Sequence, residues 1–249
     1  MATYKTPGVY VEEISTMPPS VAEVESAIPA FVVYTQKASS PADDDLRNHP
    51  FRITSMQEFE RCFGRAYPVE LAVDVESRRR GGFKLSAGLH EPGYILWHCM
   101  KLFFDNGGGA CYVVSVGGYS EIPEFSTVKL RQGLDAIRNE DEPTLIVIPE
   151  MVYLDEAGYS EIAQAMLQQC GELGDRFAIL DFKDGETDPD DVDWPRQRGL
   201  FGNRNLKYGA AYYPFLTTTR NLDGLENHRI TVHFRSSRRS SSSLPLTKW

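Results

Sequence analysis

Paired cysteines are missing from this sequence. Its four cysteines, Cys62, Cys99, Cys111 and Cys170, are scattered over 249 residues with no CxxC spacing. That excludes the common zinc and thiol-redox motifs. With no basic segment and apolar run at the N-terminus to act as an export signal, the pattern predicts reduced, buried thiols in a cytosolic protein. Long hydrophobic runs are also absent. The longest apolar stretch, in residues 93–105, is interrupted by His98, Lys101 and Asp105, short of the ~20 residues a membrane helix needs. No direct membrane insertion is expected. Positive charge is scarce as well: 26 Lys and Arg stand against 35 Asp and Glu, a formal net charge of −9. Nucleic-acid binding requires a basic face, so no nucleic acid is expected as a partner. Arg78-Arg79-Arg80 and Arg238-Arg239 are local exceptions, and they fit a solvated loop and a tail better than an acidic partner's site.

Catalytic and ligand motifs are equally thin. The five histidines (His49, His90, His98, His228, His233) form no HExxH, and His98 and Cys99, being adjacent, point to different sides of one helix. The loop bearing Asp188, Asp190, Asp191 and Asp193 lacks the central glycine and distal glutamate of a calcium loop. No G-x-S-x-G elbow occurs. "NGGGACYVV" (106–114) has glycines beside a strand, but they follow a helix instead of preceding one. An anion there would meet carbonyls and the negative helix end, so helix termination is the better reading. These observations nominate no catalytic residue, no cofactor and no metal ligand, and the protein is expected not to be an enzyme.

What is present is a regular alternation of buried-type strands and helices. "AIPAFVVYT" (27–35) is a continuous apolar run, which suits an interior strand covered on both faces. Ser55 is placed to cap a short helix carrying Phe59 and Phe63 and ending at Gly64. Residues 94–104 are apolar almost all round, as in a helix buried inside a domain, with a stop at Asn106-Gly107 before the strand "ACYVVSV". Leu130, Leu134 and Ile137 have helical spacing, and "TLIVIP" (144–149) is a buried-strand run. Tyr159, Ile162, Ala163, Met166 and Cys170 form a second helical stripe, followed by the strand "RFAILDF" (176–182). Such alternation predicts an α/β fold, a mainly parallel or mixed sheet packed with helices, plus an extended N-terminal β arm. The predicted organisation is an arm and linker over 1–26 and an α/β domain over 27–221. Within that domain, 65–90 reads as a strand or hairpin insertion, and the apolar "NLKYGAAYYPFL" (205–216) closes it. A low-complexity, disordered tail over 222–249 follows.

The arm is the unusual part. "TPGVYVEE" (6–13) joins a Pro7-Gly8 breaker to strong strand formers. Fifteen extended residues span up to ~50 Å, against a radius of gyration near ~16 Å for a domain of this size, so the arm can reach a neighbour. From the residues alone, an intermolecular strand and an edge of the chain's own sheet both remain open.

"TPGVYVEEI", "AIPAFVVYT", "FFDNGGGACYVVSVG", "TLIVIPE" and "GAAYYPFL" stand in the order and approximate spacing of contractile tail sheath proteins, over roughly residues 4 to 216. The sequence resembles most the sheath subunits of phage-tail-like extracellular contractile injection systems. The resemblance implies a structural, non-enzymatic subunit that stacks in rings around an inner tube and contracts to drive the tube into a target. Tyr4 and the stretch Thr6, Pro7, Gly8, Val9, Tyr10, Val11, Glu12 and Glu13 match the family's interaction arm, which adds a strand to a neighbouring subunit's sheet. Implied partners are other sheath subunits, identical or closely related, the inner tube protein, and baseplate and terminator proteins. Assembly in the bacterial cytoplasm, within a phage tail or a particle later released, is implied too. The family's C-terminal domain has no counterpart after about residue 222, which leads us to expect a frameshifted or truncated reading frame, with an unusually short natural paralogue and an artificially chosen end point as the rivals. The alternative function is an α/β enzyme or small-ligand binder using a cleft at the strand ends; an adaptor binding through an edge strand is a third.

Overall fold

A computed structural model describes residues 27–41, 45–77, 82–89, 93–120, 122–218, 225–235 and 241–245. The expected arm, residues 1–26, lies outside them. Among the described residues the main sheet has six strands: β1 (Pro29–Thr35), β2 (Phe51–Ile53), β5 (Cys111–Gly118), β6 (Leu145–Val147), β7 (Phe177–Asp181) and β8 (Gly209–Tyr212). They lie in the order β2-β5-β1-β6-β7-β8. All pairings are parallel except β2 with β5, so the sheet is mixed and mainly parallel, as the helix–strand alternation predicts.

β1 sits near the middle with every residue buried. Its alternate side chains face two helical layers. Ala30, Val32 and Tyr34 meet α3 (Thr127–Ile137) and α4 (Glu156–Leu173), with α5 (Trp194–Leu200) on the same side. Phe31 and Val33 meet α1 (Met56–Phe63) and α2 (Leu96–Asp105). A strand covered on both faces cannot alternate polar and apolar residues, which is why "AFVVYT" is continuous.

Helix ends follow local chemistry. Ser55 caps α1 by accepting from the Glu58 amide, while the Glu58 carboxylate accepts from Thr54 N–H at 2.8 Å. Asp155 caps α4 through Gly158 N–H at 2.8 Å, and Gly174 ends it at φ 74°, a left-handed stop. Gly107 at φ 86° terminates α2 in the same region of backbone space. A Cβ on Gly108 would lie 2.5 Å from the Phe103 ring, so the second glycine is there for close approach. Among the cysteines, Cys62, Cys111 and Cys170 are buried, and Cys99 is half-buried.

Residues 205–216, expected to close the domain, supply the last strand of the main sheet, with Ala211 and Tyr212 exposed. Two expectations need correction. α2 is not buried all round: Leu96, Trp97 and Met100 face the core, while Leu102, Phe103 and Phe104 are only half-buried. The second concerns 222–249, expected as a disordered tail. It contributes β9 (Leu225–Arg235) and β10 (Ser241–Pro245). Within 65–90 lie β3 (Val69–Ser77) and β4 (Phe83–Leu89), paired antiparallel. β9 runs parallel to β3 and antiparallel to β10, giving a second sheet in the order β10-β9-β3-β4. The physical reason is a period-two pattern masked by the serine run: Ile230, Val232 and Phe234 stand opposite Leu71, Val73 and Val75.

Candidate functional site

Open parallel sheets place ligands outside the carboxyl ends of their strands, where the order reverses. Here the chain passes from β1 to β5 on one side and then to β6 on the other, so the reversal flanks β1 and β6. Glu150 stands at that point, directly after β6, in a 3-10 turn over Pro149–Tyr153. It is fully buried. Its Oε2 accepts from Tyr34 N–H at 2.9 Å, and the amides of Ile95 and Leu96 at the start of α2 also favour its charge. Among the described residues Oε1 has no hydrogen-bond partner of normal geometry. Desolvation outweighs these donors and pushes the Glu150 pKa up to about 8.

Aromatic rings close over this position. Tyr34 lies 5.5 Å from Tyr94, Tyr94 stacks on Tyr119 at 4.7 Å, and Phe125 packs on Tyr34 and on Tyr153. Burial raises the phenol pKa of Tyr34, Tyr119 and Tyr153, and the nearby Glu150 charge adds to each shift. Further along the strand ends, Lys183 Nζ donates to the carbonyls of Val152 and Leu154, and Tyr159 Oη donates to the Asp181 carbonyl at 2.6 Å. Lys183, the Tyr159 hydroxyl and one oxygen of Glu150 are thus spent on the protein's own backbone. Where a phosphate or carboxylate ligand would meet the α2 N-terminus, the chain supplies its own carboxylate.

The exposed features are edges and faces. β8 pairs with β7 on one side, and no pairing on its other side occurs among the described residues. Beside it lies a cavity of about 280 Å³ lined by Leu167, Leu180, Phe201, Leu206, Gly209 and Ala211. Gly209 lets the strand approach α4 closely there: an added Cβ would lie 2.5 Å from Leu167 Cδ2. An open strand edge next to an apolar pocket is the geometry that accepts an added strand, main-chain bonds giving affinity and the pocket selecting a side chain. The second sheet is amphipathic. On the face that carries buried Val75, Phe83 and Leu85 are each 69 % exposed and Phe234 is 48 % exposed. Because Tyr212 is 55 % exposed on the free edge, Tyr212→Lys is expected to change unfolding free energy by less than ~0.5 kcal/mol in a urea titration. A loss above ~2 kcal/mol would mean that the edge is covered in the isolated chain.

The residues singled out in the sequence fall as follows. Tyr4 and Thr6 to Glu13 lie outside the described residues, as do Arg78 to Arg80 and Arg238-Arg239. In the acidic loop, Asp193 caps α5 through Arg196 N–H, and Asp188 accepts from Asp190 N–H; these are turn contacts. His98 lies beside the Trp97 ring on α2. Among the described residues no group of three His, Cys, Asp or Glu is placed to hold a metal, and no helix is long and apolar enough to cross a membrane. Glu150 is the residue sequence reasoning missed. A carboxylate immediately after a buried strand run and a proline was the available signal.

No family model matches this sequence, and no curated protein does. A solved structure does share the fold. One chain in the cryo-EM structure of the anti-feeding prophage (AFP) baseplate in its contracted state matches with a TM-score of 0.51 and 20 % identity, over 90 % of this chain and 50 % of that one. A chain of the 6-fold symmetrised AFP baseplate gives a TM-score of 0.47 at 22 % identity, over 85 % and 47 %. The chain therefore spans about half the length of the structures it matches.

Proposed function

We propose that this chain is a structural, non-catalytic subunit of a phage-tail-like contractile particle, and within it a subunit of the contractile sheath. The observation that carries the reading is a fold shared over nine-tenths of the chain with a component of a contracted AFP baseplate. The order of the sheath-like motifs along the sequence supports the finer assignment. Residues Thr6 to Glu13 act as the arm, adding a strand to a neighbouring subunit, and the partners are further sheath subunits, the inner tube and baseplate and terminator proteins. Assembly takes place in the bacterial cytoplasm, before the particle is released or serves as a phage tail. The absence of catalysis is part of the proposal. It is supported by the strand-end position, where a buried Glu150 accepts from the Tyr34 backbone beside a cluster of tyrosines.

A single arm should bind weakly. Each backbone hydrogen bond contributes a net ~0.5–1.5 kcal/mol, whereas ordering costs ~1–2 kcal/mol per residue. Stable assembly then requires many joined contacts and a template. Pure protein at micromolar concentration is expected to show flat light scattering. Co-expression with the tube and baseplate proteins of a phage-tail-like particle is expected to bring the chain into sedimenting rods visible by electron microscopy. Val9→Asp with Val11→Asp should cut that incorporation by more than ~10-fold while leaving the unfolding midpoint unchanged. Failure of the wild-type chain to enter any such particle, or incorporation of the double variant at the wild-type level, would count against the sheath reading.

A further inference from the structure

The two edges of the main sheet are built differently. β2, at one end, carries Arg52 at its centre, ion-paired with Glu142 at 3.1 Å. Charge of that kind guards an edge against further pairing. β8, at the other end, is Gly209-Ala210-Ala211-Tyr212, with no charge, proline or bulge, and no strand pairs with its outer side among the described residues. Its ladder to β7 sets which main-chain groups are free. Phe182 N–H donates to the Tyr212 carbonyl at 3.1 Å, so Tyr212 and Ala210 bond towards β7, and alternation turns the groups of Gly209, Ala211 and Tyr213 outward.

The surroundings of this edge are apolar across the sheet and polarised along the strand. The layer of α1 and α2 covers β2, β5 and β1, and beyond it on the same face Val147 and Ile179 are only half-buried. Register sets Phe31, Val147, Ile179 and Ala210 in one row that ends at β8. Tyr212 and Leu216 are exposed beside it, as is Leu206 at the mouth of the 280 Å³ cavity. At the start of β8 stand exposed Arg198 and Lys207. At its end lies the loop with exposed Glu186 and Asp188, tied down by Phe215 N–H donating to the Gly185 carbonyl at 3.0 Å and by Tyr213 Oη donating to that of Thr187. The edge is basic at one end and acidic at the other.

We propose that β8 pairs antiparallel with β8 of a second copy of this chain, about a two-fold axis at Ala211. A parallel arrangement would bring like charges together, whereas the antiparallel one sets Arg198 and Lys207 of each copy at Glu186 and Asp188 of the other. Ala211 is the middle one of the three outward-pointing residues, so it meets its own counterpart, Gly209 meets Tyr213, and about six main-chain bonds form. Ala210 then faces the other copy's Tyr212, whose ring continues the row over Ile179. Leu216 reaches Leu206, which stands as far before Ala211 as Leu216 stands after it. Such a pair closes on itself and leaves no β8 edge to propagate, which keeps light scattering flat. Any other added strand must displace the second copy. The proposal concerns the pure chain and does not rest on the sheath assignment.

Sedimentation equilibrium of the full-length protein, from about 1 to about 500 µM, tests it. The average mass is expected to rise from 28.0 kDa toward twice that value, with a Kd on the order of 10⁻⁴ M for so small an interface. A dilute urea titration therefore sees the monomer. Ala211→Pro removes an outward N–H and no bond to β7, so it should weaken association ~10-fold or more in a folded protein. Lys207→Glu and Glu186→Lys should each weaken it about 5-fold, and the two together should return it to within ~2-fold of the wild type. This charge exchange keeps the test readable should the proline disturb the strand. A chain that stays monomeric throughout, a mass that climbs past two copies, or undiminished association of a folded Ala211→Pro variant would overturn the proposal. So would a charge exchange that restores nothing, because the strands would then not run antiparallel.

Discussion

Gly133→Val is expected to leave little soluble, folded protein. Gly133 lies inside α3, where the helix crosses β1 and β5, and an added Cβ would stand 2.4 Å from Cγ1 of both Val32 and Val116. Both neighbours are β-branched residues on buried strands, so neither can swing aside. An exposed helical glycine gains ~1 kcal/mol on replacement by alanine. Here overpacking at ~1–3 kcal/mol for even one methyl group works against that gain. Gly133→Ala should therefore be destabilising by about 1–2 kcal/mol in urea unfolding, and valine, with two further methyl groups, by more than ~3 kcal/mol. A Gly133→Ala protein as stable as the wild type would show that α3 can move off the sheet, and the two-layer packing would have to be redrawn.

Glu150→Gln should convert a pH-sensitive protein into a less sensitive one. In the unfolded chain this carboxyl titrates near its ordinary value of 4.5, whereas burial in the fold raises it to about 8. Between those limits the native state binds more protons than the unfolded state, so stability falls as pH rises through that window and levels off above it. The surrounding groups do not offset this, because Tyr34, Tyr119, Tyr153 and Cys99 all have raised pKa values and remain neutral there. Glutamine keeps the shape and cannot ionise. The variant should match the wild type within ~1 kcal/mol at pH 5 and exceed it by a few kcal/mol at pH 8.5, since a tenfold change in proton affinity corresponds to ~1.4 kcal/mol. Thermal or urea unfolding at the two values reads the difference. Parallel pH profiles for the two proteins would mean that water or a further donor reaches Oε1 and relieves the burial.

Both results depend on pairs of residues far apart in the chain, and this separates what could be read early from what could not. The cap at Ser55, the stop at Gly107 and the continuous strand at 29–35 are local: each is decided by residues within a turn or two, so a one-dimensional reading reaches them. The same holds for Leu130, Leu134 and Ile137, whose spacing alone puts them on one helical side. The pairing of β9 with β3 joins residues about 160 positions apart, and a serine-rich neighbourhood hid the short alternation that makes it possible.

By itself the sequence determined the α/β class, the run of buried strands and helices, and the lack of any local catalytic motif, because propensity and periodicity act over a few residues. Only the tertiary structure decided where the strand order reverses and which carboxylate fills that point. Among the described residues it also decided which half of the sheet lacks a second helical layer and which edge is left unpaired. Glu150 meets Tyr34 across 116 residues. Burial, and with it every shifted pKa and uncovered apolar face, is a property of what surrounds a residue in space, and chain order does not encode that directly.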